Sequence, residues 1–231
     1  MSGGRAGRTA VVTGTAHGIG AGIAGALRAD GAKVHGADKD TVDLSAPAAV
    51  AEFFAGLGPV DILVNCAGGV AGQVGRPLEE VTDEEWRAVV DANLTTAFLC
   101  TRAVVPGMKE RRWGRIITIA SSAGLGVSKT GIQAYTSAKA AQIGFTRQMA
   151  HELGPFGITV NCIAPGFIRS NPATEEQWAS YGPDGQAALV EGISMRRLGE
   201  PADIANGVQF FASERSSWVT GQVIAIDGGH A

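Results

Sequence analysis

A tyrosine and a lysine four residues apart have the chemistry of an acid/base pair. They are Tyr135 and Lys139, in the segment Y-T-S-A-K. Four residues make about one helical turn, so the phenol and the ammonium group would point the same way. The lysine charge would favour the phenolate of a tyrosine whose ordinary pKa is about 10. The pair therefore predicts general acid/base chemistry.

A glycine-rich turn near the start of the chain predicts a phosphate-binding loop. Gly14, Gly18 and Gly20 occur in T-G-T-A-H-G-I-G, between a short apolar strand and a helical segment. Without a Cβ atom the backbone can turn sharply and approach a pyrophosphate, which the helix N-terminus then stabilises. His17 and Ile19 lie in the same turn and are further candidates for cofactor binding. Together with the Tyr–Lys pair, the turn indicates an oxidoreductase built on a nucleotide-binding fold.

An acidic residue at the predicted end of the second strand bears on the choice of cofactor. Asp38 follows Gly14 by 24 residues, close to the ~20 expected for an acid that binds the adenosine ribose. A carboxylate there would repel a 2′-phosphate, although neighbouring Lys39 could partly offset the repulsion. The sequence therefore favours NAD over NADP.

The alternation of apolar segments predicts an α/β fold, a doubly wound parallel sheet of the Rossmann type in a single domain spanning residues 1–231. The predicted strands are 9–13, 33–37, 60–65, 115–120, 158–163 and 223–226, and the predicted helices are 19–29, 46–55, 83–108, 134–153 and 201–212. Between Asp38 and Asp43 a helical crossover does not fit. We therefore expect the crossover helix after the second strand to be shortened or missing, and any third strand to be short.

Residues 166–200 contain the longest irregular-looking stretch, with Pro172, Pro183 and several glycines. They also carry Phe167, Trp178 and Tyr181, which could line a pocket, stack on a sugar ring, or fix the segment itself. We predict a lid over a substrate here.

Composition excludes several functional classes. The chain is 45% hydrophobic and 18% charged with a net charge of −3, which gives no electrostatic reason to expect nucleic-acid binding. The first ten residues lack the apolar core of a signal peptide, and no uninterrupted apolar run approaches the ~18 residues of a membrane helix. Three cysteines in predicted core segments suit a cytoplasmic protein. The scattered histidines form no metal-binding spacing, and G-x-S-x-G, the serine hydrolase motif, does not occur.

An ordered set of motifs resembles the short-chain dehydrogenase/reductase family. The set is T-G-x-x-x-G-x-G, then N-x-A-G at Asn65 to Gly68, then Asn93, Ser121, Tyr135 and Lys139, then P-G at Pro165 and Gly166. The resemblance covers essentially the whole chain, from Thr9 to the C-terminal I-D-G-G. It implies a single-domain fold, a nicotinamide cofactor, a small alcohol or ketone substrate, and assembly as a homotetramer or homodimer.

The resemblance also implies roles for the catalytic set. Tyr135 would protonate a carbonyl or deprotonate an alcohol during hydride transfer, and Lys139 would hold the nicotinamide ribose and depress the tyrosine pKa. Asn93 would anchor a water that relays protons from the lysine. The serine that binds the substrate oxygen is Ser121 when counted from Gly124 and Ser122 when counted back from Tyr135. We choose Ser121, because strand register is set by packing while loops absorb insertions.

The remaining cofactor contacts implied by the resemblance lie after the strands. Ile168 would bind the carboxamide through its backbone, and Ser170 stands where the family often has threonine. Asp43 matches an acid near the adenine, and Cys66 is interpreted as a small buried residue in place of a commoner asparagine. The full set of these further cofactor candidates is Asp43, Asn65, Ala67, Gly68, Tyr135, Lys139, Pro165, Gly166, Ile168 and Ser170.

Three functional hypotheses follow. The first is an NAD(H)-dependent oxidoreductase of secondary alcohols and ketones. The second is an NADPH-dependent 3-oxoacyl-thioester (acyl carrier protein) reductase, since residues 114–166 also resemble those enzymes. The third is a nucleotide-binding protein without turnover.

Overall fold

Six parallel strands form one sheet in the computed structural model, which describes residues 6–230. They are β1 (Thr9–Thr13), β2 (Lys33–Ala37), β3 (Ile62–Asn65), β4 (Gly114–Ile119), β5 (Ile158–Pro165) and β6 (Val223–Ile226). The strand order is β2-β1-β3-β4-β5-β6, and each neighbouring pair is parallel. The predicted doubly wound parallel sheet is confirmed. The predicted domain also includes residues 1–5 and 231, which lie outside the described residues.

The central strands are buried on both faces, which explains why their sequences are apolar without alternation. Every residue of β3, β4 and β5 is buried. The edge strand β6 is only partly covered. A strand that is buried on both faces cannot show the period-2 pattern of a half-exposed strand. Continuous runs of apolar residues therefore indicate these strands in the sequence.

Eight α-helices occur within residues 6–230. They are α1 (Gly18–Ala29), α2 (Pro47–Ala55), α3 (Asp83–Val90), α4 (Thr96–Arg111), α5 (Gln133–Leu153), α6 (Pro172–Ser180), α7 (Gly182–Glu191) and α8 (Pro201–Phe211). On one face, α1 and α8 pack together around Leu27 and Phe211. On the other face, α2, α4 and the end of α5 pack around Phe54, Leu99 and Leu153.

A wide helical turn joins α3 to α4. Residues Asp91–Thr95 are π-helical, so one continuous helix runs over Asp83–Arg111. It starts at a capping box made by Thr82 and Glu85.

By length and composition the helix over Asp83–Arg111 could cross a membrane, but 44% of its apolar 18-residue window is buried inside the protein. Helices in the cores of soluble proteins can have the same length and apolar composition, so these two properties are weak evidence for a membrane span.

The connection after β2 explains why the sheet ends there. Residues 38–46 form a loop without a strand, in which Val42 and Leu44 turn inward and are buried. The helix α2 then leads directly to β3 on the far side of β1. The loop is too short for a helix and a strand, so β2 becomes the edge of the sheet.

The segment 166–200 is largely helical, although its sequence predicts an irregular stretch. It contains α6 and α7, joined at Tyr181 and Gly182. Its prolines lie in the first turns of these helices, where a missing N–H group breaks no hydrogen bond. Gly182 takes a positive φ of 62° at the junction. Pro172 and Pro183 therefore mark helix starts rather than loops.

Replacing Leu27 by alanine should destabilise the fold. The side chain is fully buried between α1 and the sheet, and such truncations lower the free energy of unfolding by about 3 kcal/mol. Leu78→Ala is the matched control because that leucine is 64% exposed, and we expect a change within about 0.5 kcal/mol. Urea unfolding at one protein concentration measures both. Equal losses would contradict this account of the core.

Candidate active site

The turn between β1 and α1 has the geometry of an anion-binding loop. Gly14 and Gly18 take positive φ angles of 73° and 61°. A Cβ atom on Gly14 would lie 3.0 Å from the Cα of Ala67, and one on Gly20 would overlap the Gly14 carbonyl. The first turn of α1 has no side-chain cap at His17 and no acidic residue, so its N–H groups can face a phosphate. The residues present therefore fit the pyrophosphate of a dinucleotide.

The two side chains flanking Gly18 differ in exposure. His17 is exposed, whereas Ile19 packs against the apolar core beneath α1. Any contact from Ile19 to a cofactor would therefore come from its backbone.

Asp38 lies at the end of β2 and is bonded to the phosphate loop. Its carboxylate accepts a hydrogen bond from the Ala16 amide (2.8 Å) and another from the Lys39 amide (2.8 Å). A carboxylate can accept about four hydrogen bonds, so capacity remains for a ribose hydroxyl. Asp38 is thus held where the first and second strands end, beside the anion-binding turn.

Asp43 is placed differently. It is exposed, and its carboxylate accepts hydrogen bonds from the amide (2.9 Å) and hydroxyl (2.6 Å) of Ser45. These bonds lower the pKa of the Asp43 carboxyl. The carboxylate therefore stabilises its own loop before α2.

The loop after β3 is tied to the end of β1. The hydroxyl of Thr13 accepts hydrogen bonds from the amides of Cys66 and Ala67, each at 2.9 Å. Gly68 follows with a φ of 142°, and a Cβ atom there would overlap the Asn93 side chain. The side chain of Asn65 instead donates to Thr101 on α4 (3.2 Å). The Oδ1 atom of the same side chain is buried and has no hydrogen-bond partner among the described residues.

The segment after β5 lies against the turn between β1 and α1. The Gly166 amide donates to the Ile226 carbonyl (3.0 Å), so Pro165 and Gly166 are fixed beside β6. Ile168 is buried and pairs with Gly199. A Cβ atom on Gly18 would lie 2.7 Å from the Ser170 carbonyl oxygen. The start of the 166–200 segment thus meets the anion-binding turn.

Tyr135 and Lys139 lie one turn apart near the start of α5. The Lys139 ammonium is 5.5 Å from the centroid of the Tyr135 ring. The lysine is only 3% exposed, and its Nζ donates to the Ile119 carbonyl (2.9 Å) and to Oε1 of Gln142 (3.1 Å). The turn after β4 packs closely against α5 at this point. Gly124 permits the close packing, since a Cβ atom there would lie 2.8 Å from the Lys139 backbone.

Ser121 follows β4 and lies beside Tyr135. Its hydroxyl accepts a hydrogen bond from the Ala123 amide (3.2 Å) and lies near enough to the Tyr135 phenol to oppose the rise in that group's pKa. Ser122 begins a short 3-10 turn, Ser122–Gly124, for which Ser121 is the N-cap residue. This geometry supports Ser121 as the serine that would face a substrate oxygen.

Burial dominates the electrostatics of the site. It lowers the pKa of Lys139 to about 8 and raises the pKa of the Cys66 thiol to about 12. Burial also raises the pKa of Tyr135, and the hydrogen bond from Ser121 opposes this without reversing it. The lysine charge therefore does not bring the pKa of Tyr135 below its usual value, contrary to the expectation from sequence. Cys66 is half-buried rather than fully buried as expected, and its raised pKa keeps the thiol protonated near neutral pH.

Asn93 is fully buried in the wide turn between α3 and α4. Its amide donates to the carbonyls of Gly69 (2.8 Å) and Val89 (2.7 Å), and its Oδ1 accepts from the Gly69 amide (3.1 Å). The side chain therefore holds the loop after β3 in place. Its own backbone carbonyl accepts a hydrogen bond from Nε2 of Gln142 (2.9 Å).

Sequence reasoning missed Gln142. The residue is fully buried and lies three positions after Lys139, on the same face of α5. The available signal was a polar residue in the helical register of the core-facing side. Only the tertiary structure shows which groups its amide binds.

A second amide pair fixes the approach to Tyr135. Gln73 donates to the Gly131 carbonyl (3.0 Å) and to Oε1 of Gln133 (2.8 Å), and Gln133 donates to the Arg76 carbonyl (2.8 Å). Both side chains thus join the loop before α3 to the start of α5. The Gln133 amide is engaged in this bridge rather than free for a substrate.

The aromatic residues of the 166–200 segment pack on one another. The Phe167 ring centroid is 6.2 Å from that of Trp178 and 6.0 Å from that of Tyr181. Gln177 donates to the Tyr181 hydroxyl (2.6 Å). Of the alternatives open from sequence, these contacts favour a role in holding α6 and α7 to the end of β5.

Within residues 6–230, no group of three or more histidine, cysteine or acidic side chains could hold a metal ion. The three cysteines there are free thiols.

Comparison with known proteins places the chain in a family. A family model described as enoyl-(acyl carrier protein) reductase matches residues 41–231. Nodulation protein G of Azospirillum brasilense is 40% identical over 206 residues, covering 89% of this chain and 80% of that protein. The 3-oxoacyl-(acyl-carrier-protein) reductase FabG of Escherichia coli strain K12 is 35% identical over 245 residues, covering 96% and 97%.

A solved structure from Beutenbergia cavernae agrees. It is described as a candidate NAD(P)-dependent gluconate 5-dehydrogenase with NADP bound at low occupancy. It is 33% identical, matches with a TM-score of 0.88, and the match covers 97% of this chain and 96% of that one. The chain therefore belongs to the short-chain dehydrogenase/reductase family, in agreement with its parallel sheet and its glycine-rich turn after β1.

Proposed function

We propose that this protein is an NAD(H)-dependent oxidoreductase that transfers a hydride between the nicotinamide ring and a secondary alcohol or ketone. The observation that carries the proposal is the cluster of Ser121, Tyr135 and Lys139 at the strand edge where the anion-binding turn also lies. In open parallel sheets, ligands bind outside the carboxyl ends of the strands. The activity class itself, an NAD(P)-dependent enzyme acting on CH–OH or keto groups, is that of the relatives.

The side chains divide the work of the reaction. When bound, nicotinamide supplies or accepts the hydride. Tyr135 holds the proton that is given to a ketone oxygen or taken from an alcohol, and Ser121 donates a hydrogen bond where negative charge develops on that oxygen. The Lys139 ammonium can bind ribose hydroxyls, and its charge opposes, without outweighing, the burial that raises the pKa of Tyr135. The buried surroundings of Lys139 strengthen the interactions of its charge because water screens them little.

The preference for NAD rests on Asp38. Its carboxylate is fixed beside the anion-binding turn by the Ala16 and Lys39 amides, so it cannot easily swing away from a 2′-phosphate. Lys39, one residue on, is exposed and only partly compensates its charge. The NADP bound to the Beutenbergia structure and the FabG relatives favour the opposite cofactor, and the comparison below decides between them.

A second candidate function is reduction of 3-oxoacyl thioesters with NADPH. The relationship to the E. coli reductase, over 96% of this chain, favours it. Preference for NADPH and turnover of an acyl-carrier-protein thioester, with no turnover of free alcohols, would replace the first proposal. Cofactor binding without turnover on any substrate would instead support a nucleotide-binding protein.

The proposal includes the organisation of the chain. Residues 1–231 form one catalytic domain, with residues 166–200 as the lid over the substrate. A homotetramer or homodimer is supported by two exposed large apolar side chains, Phe210 on α8 (50% exposed) and Trp218 before β6 (98% exposed). The partner is a small alcohol or ketone rather than a nucleic acid or a membrane, and the location is the cytoplasm.

Tyr135→Phe should abolish most turnover because it removes the proton donor and keeps the ring. We expect kcat to fall by at least about a hundredfold, the usual contribution of general acid/base catalysis. The dissociation constant for the reduced cofactor, followed by its fluorescence, should change little. Activity is measured with NAD or NADP across secondary alcohols, polyols, hydroxy acids and hydroxyacyl thioesters. More than a tenth of the wild-type kcat in the variant would remove Tyr135 from the reaction.

The two neighbouring serines provide a matched pair. Ser121→Ala should lower kcat by about tenfold or more, since a hydrogen bond to developing charge is lost. Ser122→Ala makes the same chemical change one residue away and should leave kcat within about twofold. Steady-state kinetics on the substrate found above measures both. The reverse pattern would assign the role to Ser122.

Asp38→Asn should shift cofactor preference towards NADP. It keeps the shape of the side chain and removes the charge that repels a 2′-phosphate. We expect the ratio of kcat/KM for NADP to that for NAD to rise by about tenfold or more, as for loss of one charged hydrogen bond. Asp40→Asn, at an exposed neighbouring acid, is the control. A wild type that prefers NADP, or an unchanged ratio in D38N, would reject NAD specificity.

A further inference from the structure

A fully buried glutamine, Gln142, links two of the predicted catalytic residues, Lys139 and Asn93. Oε1 of Gln142 accepts a hydrogen bond from the Lys139 ammonium (3.1 Å), and its Nε2 donates to the Asn93 carbonyl (2.9 Å). The amide therefore spans from α5 to the wide turn between α3 and α4. Both of its polar ends are used, and neither partner is a solvent-exposed group.

Packing alone does not explain a glutamine at this position. Burying an amide is unfavourable unless it is hydrogen-bonded, whereas methionine or leucine would fill similar space without that penalty. Here the amide has one charged partner, and hydrogen bonds to charged groups are stronger than neutral ones. The hydrogen bond to Lys139, rather than packing in the core, therefore accounts for a glutamine at this position.

The bridge restricts the lysine. An ammonium group has three N–H donors, and two are directed to the Ile119 carbonyl and to Gln142. Tetrahedral geometry then sets the direction of the third, which is the donor left for a ribose hydroxyl or the Tyr135 oxygen. Gln142 thus acts on the site through Lys139.

We propose that Gln142 is a positioning residue, which ties the Lys139 ammonium to the Asn93 carbonyl and so fixes the direction of the remaining lysine N–H donor. This inference rests on the proposed function, because it concerns the same site. The bridge therefore fixes where the lysine charge lies relative to the Tyr135 ring, whose centroid is 5.5 Å from the ammonium.

The charge state of Lys139 reports on the bridge. The titratable groups facing its ammonium are Tyr135 on the same helix, Cys66 after β3 and Cys162 on β5. Burial lowers the pKa of Lys139 to about 8, and a hydrogen-bond acceptor opposes this lowering because it favours the charged form. Loss of the acceptor should lower the lysine pKa further, and a carboxylate in its place should raise it.

The test compares Gln142→Met, Gln142→Glu and the control Thr146→Val. Thr146 is fully buried one turn further along α5, and its hydroxyl has no hydrogen-bond partner within the described residues. The pKa of Lys139 is measured by NMR of ¹³Cε-labelled lysine, which is practical because the chain has five lysines. The pH profile of kcat is measured alongside, and thermal melting confirms folding.

We expect Q142M to lower the Lys139 pKa by about one unit and kcat by about tenfold, the loss for one hydrogen bond to a charge. The KM for the substrate should change less than about threefold. Q142E should raise the same pKa and extend activity to higher pH, and T146V should match the wild type in both. A merely structural glutamine would lower stability and leave the lysine pKa unchanged.

The failures can be told apart. An unchanged Lys139 pKa and kcat in Q142M overturn the positioning role while the proposed function stands. A wild type without turnover overturns the proposed function, and the NMR comparison still decides the bridge. If Q142M does not fold, Q142E decides, and an unchanged lysine pKa in it rejects the proposal.

Discussion

Burial of the Lys139 ammonium is the constraint on which the candidate site depends. A charge that is only 3% exposed needs partners from within the protein. It obtains them from the Ile119 carbonyl at the end of β4 and from Gln142, which is in turn bonded to Asn93. One side chain thereby connects the central sheet, α5 and the wide turn before α4. Any change in these three elements would be felt at the lysine and at Tyr135 beside it.

Close backbone approaches bring the remaining parts of the site to the same sheet edge. Glycines at positions 14, 18 and 68 leave room that a Cβ atom would fill with contacts to Ala67, Ser170 and Asn93. Thr13 adds hydrogen bonds between the ends of β1 and β3. These contacts join segments far apart in sequence, which is why the anion-binding turn, the loop after β3 and the start of the 166–200 segment form one surface.

The sequence predicted the six strands with bounds close to those observed, because strands buried on both faces are apolar throughout. The elements it missed are instructive. Helices α6 and α7 begin at Pro172 and at Gly182–Pro183, so residues that usually indicate loops here mark first turns. The wide turn at Asp91–Thr95 was also missed, since an added residue in a helix leaves almost no trace in apolar periodicity.

What the sequence determined by itself was the fold class, the anion-binding turn and the Tyr135–Lys139 pair, because each depends on local spacing along one strand or helix. Only the tertiary structure decided the partners of those groups. It brought Ser121 beside Tyr135, turned Asp43 onto Ser45, and placed Gln142 between Lys139 and Asn93. Hydrogen bonds between distant segments depend on how the helices pack against the sheet, and no local pattern in a single sequence records that packing.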